Sequence, residues 1–185
     1  DFTTASWTNF QNENFKLVSL NTSRFDTVKH RAFPVVSDAK IGLKELSKAL
    51  GNWKAPTGWY QRAIEEKNKW EEYVAKESGP TNQELPSYAH AVGAVYRNSD
   101  PSDIVVTAAG GLVGEVVQIW KPKEINTFET EWGFSCMGYE ISGALGIKMA
   151  KPDQDVVVFV GDGSYLLQNS DIYSSVLYDK KLIIV

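Results

Sequence analysis

A carboxylate held between two glycines, Gly161-Asp162-Gly163, follows the apolar run Val156-Val157-Val158-Phe159-Val160 and precedes an amphipathic segment. That order reads as a strand buried on both faces, a tight turn and the first turn of a helix. The carboxylate then stands at the strand's C-terminal tip, where open parallel sheets bind ligands. The glycines let the backbone turn sharply and come close to a ligand. The amides of Gly163, Ser164 and Tyr165 are expected to face outward at a helix N-terminus, a site suited to phosphate. A bare carboxylate repels phosphate unless a cation separates them, and Mg2+ shared between Asp162 and a diphosphate removes the conflict. On these residues alone a second reading stays open, in which Asp162 merely caps the helix.

The elements around this turn alternate. From Leu85 the pattern predicts a helix to Arg97 with Pro86 in its first turn, then a buried strand over 103–107. The small-residue loop Ala108-Ala109-Gly110-Gly111 leads into a helix through Val116, Val117, Ile119 and Trp120. A strand over 126–130, a loop at Gly133-Phe134-Ser135 and a helix from Cys136 to Ala150 come next. The strand over 156–160, a helix to Tyr178 and a final apolar run to Val185 complete the series. Such alternation predicts an α/β fold, a three-layer doubly wound parallel sheet. Its strand-to-helix loops share one edge, so 108–111, 133–138 and 161–164 are expected to line one backbone-rich cleft.

Upstream, 15–20 and Val35-Val36 read as strands, and Asp38 caps a helix from Ala39 to Leu50 that Gly51 ends. Residues 1–51 are therefore read as the tail of a preceding α/β domain. Residues 52–85 form a linker with a charged helix from Trp59 to Lys76, its aromatic side chains packed on neighbours rather than caging a ligand. Residues 86–185 form the sheet domain. The apolar run that closes the chain reads as a strand stopped midway, and we expect a piece of a longer polypeptide.

The 185 residues carry a net charge of −4 without a basic block, which excludes a nucleic-acid-binding surface of the usual kind. No apolar run is long enough to cross a bilayer, and the single cysteine suits a reducing compartment, so a cytoplasmic location is expected. No Gly-x-Gly-x-x-Gly dinucleotide loop, triphosphate-binding loop or Gly-x-Ser-x-Gly elbow is present. Cys136, at an expected helix start, reads either as a low-pKa thiolate or as a buried structural thiol. His30 and His90 lie away from the three loops.

Val160-Gly161-Asp162-Gly163-Ser164 resembles the first half of the thiamine diphosphate motif. The stretch Glu131-Trp132-Gly133-Phe134-Ser135-Cys136-Met137-Gly138-Tyr139-Glu140-Ile141 is similar to the segment that holds the aminopyrimidine in acetohydroxyacid-synthase-like enzymes. With Ala-Ala-Gly-Gly before it, the wording resembles the trihydroxycyclohexane-1,2-dione hydrolase branch of that superfamily, which serves myo-inositol catabolism. The resemblance implies a thiamine diphosphate-binding fold, truncated here, with thiamine diphosphate and Mg2+ as cofactors. It implies that Asp162 ligates Mg2+ and that Gly163, Ser164, Gly110 and Gly111 contact the diphosphate, with Cys136 and Tyr165 in the same lining. The Ser135 carbonyl would accept from the cofactor's 4′-amino group, and Met137 would wedge beneath the bent cofactor. The glutamate that protonates the aminopyrimidine belongs to another domain, so no catalytic residue lies in this chain and the piece alone is expected to be inactive. The implied reaction is hydrolytic C–C cleavage of a cyclic 1,2-dione to a deoxyglucuronate, by a homo-oligomer (dimer or tetramer). A thiamine-dependent 2-oxo acid lyase, decarboxylase or synthase, or a non-catalytic assembly module of this fold, are the alternatives.

Overall fold

The computed structural model describes residues 4–5 and 8–185, which divide into two compact units at Tyr60/Gln61. In the first unit, β1 (Val18–Asn21) pairs in parallel with β2 (Phe33–Val36), Val18 opposite Phe33. The short helix α1 (Arg24–Thr27) and a 3-10 turn (Lys29–Arg31) connect them. The helix α2 (Ala39–Leu50) starts on the Asp38 side chain, which accepts from the Ile41 amide at 3.1 Å. A Cβ at Gly42 would lie 2.6 Å from Leu20 Cδ1, so glycine lets α2 settle on β1. The remaining apolar side chains of α2 (Ile41, Leu43, Leu46, Leu50) are exposed. Pairing begins at Val18 rather than Phe15, because a turn closed by the Phe15 amide on Asn12 O precedes it.

The helix α3 runs over Thr57–Glu77. Its aromatics do not pack as expected: Trp59, Tyr60, Trp70 and Tyr73 are exposed, and Val74 is its one buried residue. The helix α4 (Tyr88–Asn98) opens on a capping box between Ser87 and His90. Pro86 therefore precedes the cap instead of occupying the first turn.

The second unit is built on a four-stranded parallel sheet in the order β4-β3-β5-β6, with β3 Ile104–Thr107, β4 Phe128–Thr130, β5 Val156–Val158 and β6 Ile183–Ile184. β3 and β5 are buried along their whole length, which is why they read as unbroken β-branched runs. Alternate residues feed two cores. Val105, Val157 and Phe159 pack with Val74, Val92, Val116, Ile119 and Trp120, below α4 and α5 (Gly110–Ile119). Ile104, Val106, Val156 and Val158 pack with Ala144 of α6 (Tyr139–Ala150) on the opposite face. Helices thus cover both faces, giving the three-layer α/β arrangement. The connection after β5 is two helices, α7 (Asp162–Gln168) and α8 (Ser170–Leu177), broken at Asn169 where one helix was expected. Ser142 Oγ of α6 donates to Asp171 Oδ2 of α8 at 2.6 Å, fixing α8 against α6.

Candidate functional site

Because β3, β4 and β5 are parallel, the loops that leave them emerge on one edge of the sheet. Each leads into a helix whose N-terminus has no side-chain cap. Ala109 precedes α5, Gly138 precedes α6 and Gly161 precedes α7, and none offers a side-chain acceptor to the first turn. First-turn amides left without a side-chain acceptor, together with the helix dipole, favour an anion; in α7 the Asp162 carboxylate takes the Gly163 amide. Space is left for one. A Cβ placed at Gly110, Gly111 or Gly161 would meet no heavy atom within 4 Å. Gly110 also sits at φ +82, a backbone angle that other residues rarely adopt.

Contacts between the loops join them into one site. Glu140, with no exposed surface, accepts from the Ala109 amide at 3.0 Å and from the Gly138 amide at 2.9 Å. One carboxylate thereby ties the loop after β3 to the loop after β4. A Cβ at Gly163 would fall 2.8 Å from Met137 Cε, so the methionine methyl lies against the turn after β5. Gly138, at φ +95, backs onto α7, where an added Cβ would lie 2.9 Å from Gln168 Cβ. Thr107 and Thr130 stand opposite each other in register at the ends of β3 and β4, and among the described residues their buried hydroxyls have no hydrogen-bond partner. Neither these threonines nor Glu140 was singled out from the sequence. Glu140 resembles an ordinary acid in a helix first turn, and its long-range partner is 31 residues away.

The loop after β4 is shaped by Glu131. Its Oε1 accepts from the Phe134 amide at 2.9 Å and its Oε2 from the Cys136 amide at 2.7 Å. Those bonds bracket Ser135, which is held at φ +53. The donations from Cys136 and then Phe134 keep the Glu131 carboxyl below the usual glutamate range. Desolvation, followed by the charge of Glu131 and a hydrogen bond to it, pushes the Cys136 thiol up. Neither reading of this cysteine holds. Cys136 is exposed, it lies in the loop ahead of α6 rather than at the helix start, and its pKa is shifted up rather than down.

In the turn after β5, Asp162 is the first residue of α7 and is exposed to solvent. Asp162 is not the N-cap: that place is taken by Gly161, and among the described residues the Asp162 Oδ1 accepts from the adjacent Gly163 amide, at 2.9 Å. Of the three amides expected to face outward, Tyr165 N–H donates to Gly161 O inside the helix and Gly163 N–H to the aspartate. The Ser164 side chain is buried beneath the turn, while Tyr165 and Met137 remain partly open to solvent. Among the described residues no three His, Cys, Asp or Glu side chains are grouped to hold a metal, so Asp162 offers a hard cation a single carboxylate. The structure therefore joins Met137 to Gly163, and the residue before Gly110 and Gly111 to the helix start after Met137.

Residues 108–185 match the family described as thiamine pyrophosphate enzyme, C-terminal TPP binding domain. The whole chain is similar to curated proteins named 3D-(3,5/4)-trihydroxycyclohexane-1,2-dione hydrolase. It is 34% identical to the one from Geobacillus thermodenitrificans, over 100% of this chain and 32% of that protein. It is 37% identical to the one from Listeria innocua, over 98% and 32%. The Clostridium tetani protein is 34% identical, again over 98% and 32%. The chain thus spans about a third of the length of these relatives. Residues 108–185 thus match the C-terminal TPP-binding domain family of the thiamine pyrophosphate enzymes, within a chain similar along its length to proteins named trihydroxycyclohexanedione hydrolases.

Proposed function

We propose that this chain is the diphosphate- and metal-holding portion of a longer hydrolase that depends on thiamine diphosphate and Mg2+. In this reading the parent enzyme cleaves a C–C bond of trihydroxycyclohexane-1,2-dione and yields 5-deoxyglucuronate. The observation that carries it is the convergence of three uncapped helix starts beside an exposed carboxylate on one sheet edge. The likeness along the whole chain to hydrolases of that name supports the choice of substrate.

The residues fit the group. The room over Gly110, Gly111 and Gly161, which a Cβ would fill, takes a diphosphate against backbone amides. A lone Asp162 carboxylate suits Mg2+, which commonly binds one or two protein carboxylates and completes its shell from phosphate and water. Gly110, Gly111, Gly163 and Ser164 then hold the diphosphate, Asp162 the metal, and Cys136 and Tyr165 line the same cleft. The Ser135 carbonyl orients the aminopyrimidine by accepting from its amino group, and Met137 gives the cofactor an apolar support. Thiamine diphosphate supplies, when bound, a nucleophilic carbon and an electron sink for C–C cleavage. The part of this chain is to position that group and keep one face of it dry. We place residues 1–51 at the end of a middle domain, 52–85 in a linker and 86–185 in the cofactor domain. We also place the parent in the cytoplasm as a homo-oligomer. Among the described residues no helix is long and apolar enough to cross a membrane.

The test uses the full-length protein and Asp162→Asn. Calorimetric titration with thiamine diphosphate should show Mg2+-dependent binding that Asp162→Asn weakens at least tenfold, about 1.4 kcal/mol. NMR should follow the dione to the ring-opened acid. Binding indifferent to both Mg2+ and Asp162 would sink the cofactor reading, and turnover of pyruvate in place of the dione would sink the substrate reading.

A further inference from the structure

Glu140 has a geometry that the proposed cofactor contacts do not use. It is a carboxylate with no exposed surface, and each of its oxygens accepts from a backbone amide on a different loop. The Ala109 amide belongs to the N-cap of α5, directly before Gly110 and Gly111, and the Gly138 amide to the N-cap of α6, directly after Met137. A helix-terminal acid in its ordinary role reaches only its own helix. The bond to Ala109 spans 31 residues and crosses between two strands' loops, so it does more than cap. Both bonds need an acceptor, because an amide side chain in the same place would turn an N–H donor against one of the two backbone donors.

Taking the cofactor reading above as given, we propose that Glu140 is a positioning residue that couples the two ends of the cofactor site. Gly110 and Gly111 stand on the diphosphate side of the carboxylate, and Ser135 and Met137 on the aminopyrimidine side. With the bridge in place both loops form one rigid body, and a ligand touching both loops gains from their fixed separation. Without it each loop still binds its own fragment, but the long ligand must order one loop against the other. Glu140 touches no reacting atom in this scheme.

The prediction is a split between ligands. In the full-length protein with Mg2+, Glu140→Gln should weaken thiamine diphosphate binding about tenfold or more, while inorganic pyrophosphate, measured as a competitor, changes by less than about threefold. Glu140→Asp keeps the charge but is one methylene shorter, so it reaches one amide only and should show the same split more mildly. It serves where Glu140→Gln does not fold. Thermal melting of each variant without ligand gives the structural baseline. Parallel weakening of both ligands that tracks the melting temperature would assign Glu140 a purely structural role and overturn the proposal. So would unchanged binding of both. Failure of the wild-type protein to bind thiamine diphosphate at all is a separate outcome, which removes the cofactor reading itself.

Discussion

Replacing Gly138 by alanine tests the joint between the second and third loops. Gly138 sits at φ +95, where an L side chain crowds the backbone at a cost of about 1–2 kcal/mol. The new methyl would also lie 2.9 Å from Gln168 Cβ and 3.7 Å from Leu167 Cβ. The first of these falls about half an ångström short of ordinary contact. Neither neighbour is the free end of a flexible chain, since a Cβ moves only with its backbone, so α7 itself must shift. Overpacking of this kind costs about 1–3 kcal/mol. The lost freedom of the unfolded glycine offsets about 0.4–1 kcal/mol. A net loss of about 1–4.6 kcal/mol follows, a large part of the ~5–15 kcal/mol that holds a typical domain together. Urea denaturation followed by far-UV circular dichroism reads this directly. Because α7 begins at Asp162, what remains folded should also bind Mg2+ with thiamine diphosphate more weakly. A Gly138→Ala protein whose unfolding free energy lies within about 0.5 kcal/mol of wild type would show that the contact between Gly138 and α7 is not tight and does not help to knit the three loops together.

Gly111→Ala should separate folding from binding: with open space around its Cβ it is expected to leave stability unchanged or raise it by up to about 1 kcal/mol, yet to weaken thiamine diphosphate binding about tenfold by filling the cradle. Normal affinity in a well-folded Gly111→Ala protein would place the diphosphate elsewhere. The raised pKa of Cys136 makes its alkylation by iodoacetamide slow at neutral pH, and Glu131→Gln, which removes the nearby charge, should speed labelling of the Cys136 peptide at pH 8 as read by mass spectrometry. An unchanged rate would mean Glu131 does not control the thiol. The same loop should respond to acid with a definite sign. Glu131 has a folded pKa below its unfolded one, so its contribution is complete above the ordinary carboxyl range and disappears as pH falls through the lowered value. Amide exchange of Phe134 and Cys136, whose N–H groups Glu131 accepts, should therefore lose its protection over that acid window and not before.

What could be read in the amino acids, and what could not, divides along a physical line. The β3 and β5 strands announce themselves, because a strand buried on both faces must be apolar at every position, and Ile104–Thr107 and Val156–Val158 are nearly so. The loops announce themselves through glycine, since Gly110 and Gly138 need backbone angles that other residues resist. Local signals fail where two conformations are close in energy. Asn169 breaks the expected single helix into α7 and α8 without a proline or glycine to mark it, and its side chain makes no capping bond to the first turn of α8. Ser87 takes the cap one residue after Pro86, where proline's own preference pointed to an earlier start.

Glu140 shows a harder limit. Nothing in a helix-start glutamate tells whether it faces water or is fully buried; that depends on a loop arriving from another strand. Burying a carboxyl group is costly unless its oxygens are satisfied, so its presence at 0% exposure implies that the two amides it holds must be kept in place. Thr107 and Thr130 are the converse case: their buried hydroxyls lack partners among the described residues although they stand at the foot of the same loops. Fully satisfied and conspicuously unsatisfied polar groups thus occur within a few residues of one another, at one edge of one sheet. A region serving only as packing would have replaced both with apolar side chains at lower cost. Their concentration where three uncapped helices begin is the physical reason to regard this edge, rather than the exposed aromatics of α3, as the place where the molecule acts.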